Sequence, residues 1–495
     1  MLLWFVILYL MISVGIGLWA ATRVHSAKDF AVAGRSLPLP VVTATVFATW
    51  FGAEAVFGIP ATFVQEGLGG VVADPFGSSM CLILAGIFFS TYLYKLNIIT
   101  LGDFYRMRYN RTVEIITTLC IVVSYLGWVA AQIMALGLIF NVVTAGAVSQ
   151  DAGMILGAAI VLTYTTFGGM FSVAFLDFVQ MMVSMGGLLF IGWTVSGMTG
   201  GVAPVIAHAS QAGKLDFFPP ADPWLWVTFL GAWITMMLGS IPQQDVFQRI
   251  TSAKSAKVAV WGSVLGASIY FCFTFVPMFI AYAATMIDPA KFSAIIAQDS
   301  QLVLPTLVLE SMPLFAQVLF FGAVLSAIMS CSSATLLAPS VSFAENVIKG
   351  FFPRMGDHAF LRVMRICLVC FTLLVLTVAL NSEASIFEMV ENAYKVTLAG
   401  AFVPLVSGAF WKRATTQGAL AATIGGLLSW IMIEILIGEA SPVPPQLIGL
   451  AVSAVGMVAG SLLPQWVGHK HPQAPDFLRE HASQSHSGPH PHHQK

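Results

Sequence analysis

The stretch Phe47 to Pro60, FATWFGAEAVFGIP, lies in an apolar run long enough to cross a bilayer, yet it carries Gly52, Gly58, Pro60 and the ionisable Glu54. A helix in hydrocarbon must satisfy its own backbone, so an interruption is tolerated only where protein or an aqueous cavity covers it. The stretch therefore predicts a broken helix whose break faces inward, with a carboxylate beside it. A second interruption falls five spans later, at Gly239 to Arg249, GSIPQQDVFQR, where Gly239 and Pro242 precede Gln243, Gln244 and Asp245. Matched breaks at the start of two halves are the sequence signature of an inverted-repeat transporter with its site at mid-membrane. At such a break, freed carbonyls can coordinate a cation and helix N-termini can face an anionic group.

The rest of the chain agrees with a membrane location. It is 58% hydrophobic and 9% charged over 495 residues, with a mean hydropathy of +0.86, too few charges to coat a soluble globule of that size. Hydropathy places thirteen spans near 2–22, 39–65, 69–94, 113–145, 152–168, 172–198, 224–248, 258–287, 313–346, 362–381, 385–411, 417–437 and 445–466. Of the 22 Lys and Arg, all but Lys214, Lys291 and Lys395 fall in odd-numbered connections or the tail. The positive-inside rule then puts the N-terminus outside and the C-terminus in the cytoplasm of a multi-pass cell-membrane protein. A net charge of -1 speaks against a nucleic-acid partner, which leaves the lipid bilayer and a small solute.

The six cysteines all lie in apolar segments, as packing thiols do, and Cys367 and Cys370 form a CxxC without a second ligand pair. No paired nucleophile and base is present, so no enzyme is predicted. The segment 467–495 is rich in Pro, Ser and His and reads as a disordered cytoplasmic tail.

Several stretches resemble the sodium/solute symporter family, in order, over residues 27–430. They are FAVAGRSLP at 30–38, TTFGGMFSVAFLDFVQ at 165–180, IPQQDVFQR at 241–249, SAIMSCSSATLLAPSVSFAENVIK at 326–349 and FWKRATTQGALAATIGG at 410–426. The resemblance implies an all-α polytopic protein with a five-plus-five inverted-repeat core. Its parts are a leading helix and loop (1–38), a first repeat (39–198), a second repeat (199–411), two accessory helices (412–466) and the tail.

The activity implied is sodium-coupled symport of a small organic solute by alternating access. Two alternatives are proton-coupled symport, with a carboxyl such as Glu54, Asp177 or Asp245 as carrier, and a non-transporting solute sensor. A monomer is compatible with all three.

The same resemblance implies a sodium site between the first and eighth core helices. It uses the carbonyls of Ala48, Phe51 and Ala327 and the side chains at Ser330 and Cys331, with Asp177 supplying charge. Family members usually carry Ser or Thr where this chain has Cys331. A hard cation prefers oxygen to sulfur, so Ser332 and Ser333 are the neighbouring substitutes.

For the solute, TATVFATWFG at 43–52 and SYLGWVAAQIMALG at 124–137 are most similar to the high-affinity choline transporters, where the matching tryptophans, here Trp50 and Trp128, help enclose a quaternary ammonium. Aromatic faces attract organic cations through the ring quadrupole. Gln243 and Ser78 replace two further aromatics of that branch. With Gln132, Gln244 and Glu54 they suit a more polar solute, such as a betaine or an amino acid. Glu391 and Lys395, four residues apart, share a helix face as an internal pair or an outer gate. Asp74 reads as a residue near a span end, without a role.

Overall fold

The computed structural model describes residues 1–467, and no strand is found among them. The histidines predicted to mark the tail lie outside the described residues. Spans 1, 3 and 4 are Leu2–Ala21, Leu68–Lys95 and Arg111–Val143. Spans 5 and 6 form one run, Gln150–Met198, of 49 residues. At about 1.5 Å per residue such a helix would be roughly 74 Å long, more than twice the hydrocarbon thickness. Gly169 divides it, with φ 49° and ψ -136°, a conformation that only glycine adopts easily. A Cβ at Gly169 would stand 2.5 Å from both the Phe30 ring and its carbonyl. The pre-span segment FAVAG thus packs directly on this turn.

Three spans are bent pairs. Span 2 is Leu39–Trp50 followed by Glu54–Glu66, at 59°; span 7 is Pro223–Gly239 followed by Gln244–Ser252, at 43°. Both breaks fall where the glycines and prolines predicted them. Span 11, Ile386–Gly400 followed by Phe402–Phe410, bends by 48° as well, although the sequence reading ran it straight through. Spans 8, 9 and 10 are Ala256–Ile287, Leu314–Phe351 and Asp357–Asn381; spans 12 and 13 are Thr416–Leu436 and Pro445–Leu462. One connection differs from expectation. Residues 289–311 form two short helices, Pro289–Asp299 and Val303–Ser311, separated at Asp299, whose carboxylate accepts from the Gln301 amide.

Contacts between connections establish their parity. Leu37, before span 2, pairs with Ala253, after span 7, through Leu37 N to Ser252 O (3.0 Å) and Lys254 N to Leu37 O (2.9 Å). An inverted repeat demands this meeting, since the entry of one broken span and the exit of its counterpart lie on one side. Arg35 reaches Tyr94 O at 2.7 Å, Arg111 reaches Asn346 O at 2.7 Å, and the buried Arg108 spans Gly408 O, Trp411 O and Ala414 O. All of these join odd-numbered connections or the span ends beside them. On the opposite face, Leu68 N donates to Lys214 O at 2.8 Å, joining two even-numbered ones.

Candidate functional site

Both breaks carry an acid in the first turn of the half-helix that follows: Glu54 in span 2 and Asp245 in span 7. A helix N-terminus favours negative charge, which eases the burial of these carboxylates. Span 4 supplies the facing wall, because Tyr125, Trp128 and Gln132 fall on one side at helical spacing. Gln132 accepts from the freed Ala53 N–H at 2.8 Å and donates to Glu54 at 2.7 Å. The Trp128 indole N–H donates to the other Glu54 oxygen at 3.3 Å, and the Trp50 indole N–H donates to Asp245 at 3.0 Å. The Tyr125 hydroxyl donates to the second Asp245 oxygen.

The rings between these acids touch one another. Trp50 meets Trp128 edge to face with centroids 5.6 Å apart, and Tyr394 of span 11 stacks on Trp50 at 6.1 Å and lies 5.6 Å from Trp128. Tyr125 stacks on Trp128 at 5.8 Å. Trp50, Trp128, Gln132 and Glu54, all named from sequence, are therefore together. Tyr125 and Tyr394 join them unannounced by the sequence reading, as does Asp245, named there only as a possible proton carrier. The signal for Asp245 was present, since it follows its break as Glu54 follows the first.

Other predicted solute residues sit elsewhere. The Gln244 amide is used by the connection after span 3, with its oxygen accepting from Leu101 N at 2.9 Å, so this side chain turns away from the rings. Gln243 braces the break, donating to Ser124 at 3.0 Å and to Thr397 at 3.2 Å. Thr397 in turn donates to Gly239 O at 2.6 Å. That carbonyl, freed by the break, is thus already occupied. Ser78 donates to Asp74 at 2.6 Å, and the Tyr270 hydroxyl donates to the same oxygen at 2.6 Å.

Asp74 lies near the start of span 3, as read from sequence, but is only 3% exposed and fully engaged with Ser78 and Tyr270. Arg249 is no loop residue. It is 2% exposed within the second half-helix of span 7, with its Nε and Nη2 unpartnered. Glu391 and Lys395 are half-buried without a direct ion pair between them.

The predicted ion site is built around Asp177 of span 6. Its carboxylate accepts from Thr45 of span 2 at 2.5 Å and from the Ser330 hydroxyl of span 9, which also lies 3.3 Å from Ala48 O. Cys331, the next residue, packs on the break: its Cβ and sulfur would stand 2.6 and 2.7 Å from a Cβ at Gly52. The polar atoms grouped here are all oxygens, the chemistry that fits a hard cation, and Thr45 supplies one that the sequence reading missed. Phe51 and Ala327 are both buried, Phe51 at the non-helical end of its half-helix (φ -84°, ψ 75°).

A cavity of about 650 Å³ lies elsewhere. It is apolar, bordered by Phe63, Trp193, Phe279 and Tyr282, and Trp193 is 75% exposed on the outer wall of the bundle. None of the residues above borders it.

Comparison with known proteins follows this geometry. Residues 30–426 match the sodium:solute symporter family. High-affinity choline transporter 1 of Torpedo marmorata is 26% identical over 446 residues, covering 86% of this chain and 75% of the relative. The sodium/glucose cotransporter of Vibrio parahaemolyticus is 24% identical over 463 residues, covering 85% and 82%. Among solved structures, a substrate-bound, outward-open Na+-coupled sialic acid symporter superposes with a TM-score of 0.80 at 18% identity, covering 93% of this chain and 97% of that one. That likeness shows the fold: a polytopic helical protein with a five-plus-five inverted-repeat core.

Proposed function

Because the chain belongs to the sodium:solute symporter family, we propose that it carries a small organic cation across the membrane together with sodium, by alternating access around spans 2 and 7. The observation that carries this reading is the ring cluster of Trp50, Trp128, Tyr125 and Tyr394 set between two buried carboxylates where both broken spans part. Ring faces and carboxylates both attract positive charge, and the attraction grows once water is excluded. A betaine or an amino acid would have to bring its own carboxylate beside Glu54, Asp74 and Asp245, so these zwitterions fit less well.

Asp177, Ser330, Thr45 and the Ala48 carbonyl hold the coupling ion, next to the first break. Sodium there draws span 9 and span 6 toward the inner half of span 2, whose end presents Trp50 to the solute. Each ligand thereby favours the arrangement that the other needs, which is the thermodynamic content of coupling. The repeats run 39–198 and 199–411, flanked by a leading segment, 1–38, and two accessory spans, 412–466. In a cell membrane the N-terminus faces outward and the basic face inward, by the positive-inside rule.

Uptake into liposomes tests the reading. An inward sodium gradient is expected to drive accumulation of labelled choline, whereas a proton gradient in potassium is not. Trp50→Ala is expected to weaken cation uptake about tenfold or more, as loss of a desolvated cation–ring contact does. Uptake driven by protons alone would replace sodium as the coupling ion. Solute binding without any flux would make the protein a sensor.

A further inference from the structure

The second half-helix of span 7, Gln244–Ser252, is polar at Gln244, Asp245, Gln248, Arg249, Thr251 and Ser252, yet all nine of its residues are buried. Gln248 donates to Ala31 O at 3.0 Å, in the segment before span 2. Arg249 Nε and Nη2 and the Ser252 hydroxyl have no partner. Buried polar groups without partners are costly, and water would satisfy them if this half-helix parted from its neighbours. The protein is thus closed here around a helix whose composition suits a wet surface.

Gln244, the first residue of that half-helix, holds it to the connection after span 3. Its Oε1 accepts from Leu101 N at 2.9 Å, and its Nε2 stands 3.5 Å from Ile99 O. Leu101 opens the helix Leu101–Arg108, whose capping box pairs Thr100 with Asp103. A helix start leaves four N–H groups without intrahelical partners, and the Leu101 N–H finds its acceptor in span 7. The rest of this connection is fixed to other spans. Thr100 donates to Asn346 of span 9 at 2.7 Å, and Asn346 donates to Asp103 at 3.0 Å and to Glu114 of span 4 at 2.9 Å. Tyr105 donates to Ala401 O of span 11 at 2.7 Å, and a Cβ at Gly102 would stand 2.3 Å from the Asn346 side chain. Spans 4, 9 and 11 therefore hold this connection at several points, and span 7 reaches it through the flexible side chain of Gln244.

We propose that Gln244 is the latch of the basic face: its bond to Leu101 N keeps the second half of span 7 against the connection after span 3, and its release lets that half-helix part and water reach Asp245 and Arg249. This rests on the reading that spans 2 and 7 move in alternating access. Gln244 acts through the half-helix and not on the solute, so it is a positioning residue. Asp245 is the next residue and accepts from Trp50, so a shift of the half-helix at the latch is felt at the rings.

Ser263 of span 8 is 3% exposed and borders a cavity of about 10 Å³ with Thr49, Trp50, Asp245 and Arg249, so Ser263→Cys reports water reaching them. In membrane vesicles of the full-length protein, its reaction with a membrane-impermeant thiol reagent is followed from the face that carries Lys254, with the cysteines already present as background. Without sodium, Gln244→Leu is expected to speed this reaction about fivefold or more, the population shift that loss of one hydrogen bond gives. Leu101→Pro removes the N–H as well as the side chain, at a first helical position that accepts proline, whereas Leu101→Ala removes the side chain alone. Leu101→Pro is expected to match Gln244→Leu, Leu101→Ala to fall short of both, and Leu101→Pro combined with Gln244→Leu to add nothing. Sodium ties span 2 to spans 6 and 9 in a folded carrier, so the sodium-sensitive part of each rate is compared and misfolded protein cancels. An unchanged rate in Gln244→Leu overturns the proposal, as do equal rates in Leu101→Pro and Leu101→Ala or additive effects in the combination. Sodium-driven choline uptake without this pattern sinks only the latch. The pattern without choline uptake sinks only the organic-cation reading.

Discussion

At Gly52 the missing side chain is what lets three spans meet, because a Cβ there would stand 2.6 Å from both the Cys331 Cβ and the Gln132 Oε1. Both neighbours are buried at or beside helical backbone and have little room to retreat. Gly52→Ala is therefore expected to lower stability by about 1–3 kcal/mol, the usual cost of overpacking, read as a fall in melting temperature in detergent. The same geometry gives two neighbouring residues different contacts. Cys331 packs against the break while Ser330 reaches Asp177, so Cys331→Ser is expected to leave the sodium dependence of uptake almost unchanged. Thr45→Val removes a hydroxyl that touches Asp177 and is expected to raise the half-saturating sodium concentration about tenfold. Equal effects of the two substitutions would return Cys331 to the coordinating set.

Among the elements, the breaks were the most legible, since glycine and proline weaken a helix ladder wherever they stand. What covers each break was not legible. Span 2 hands its freed Ala53 N–H to Gln132, and span 7 hands its Gly239 carbonyl to Thr397, partners 79 and 158 residues away in sequence. The turn between spans 5 and 6 is the most demanding element. Gly169→Ala combines a glycine-only conformation with a Cβ 2.5 Å from Phe30, and it is expected to cost roughly 2–6 kcal/mol. The measurement is the yield of monodisperse protein after extraction. Normal yield and melting would mean that the inner end of span 6 repacks freely.

For the molecule as a whole, the parity of the connections decides topology. Leu37 pairs with Ala253 on one face, and Leu68 pairs with Lys214 on the other. With the basic face inward, a cysteine introduced as Lys254→Cys is expected to react with a membrane-impermeant maleimide only in inside-out vesicles, and Lys214→Cys only in intact cells. The cysteines already present provide the background to subtract. The reverse pattern would invert the orientation and leave the fold intact.

Span number, the odd-face basic residues and the two interruptions were all set by local sequence, because burial in hydrocarbon imposes the same rule on every segment independently of its neighbours. Trp50, Trp128, Gln132 and Glu54, which the structure gathers, were named that way, each lying at or opposite a visible break. Tyr394, Thr45 and the true surroundings of Asp74, Gln244 and Arg249 came only from the tertiary structure. A polar residue on a spanning helix can turn to a cavity, a loop or another helix, and the choice depends on partners brought from distant parts of the chain. The bend at Ala401 differs from these, since Gly400 and Pro404 flank it as Gly239 and Pro242 mark the break of span 7, and only its angle is set by packing.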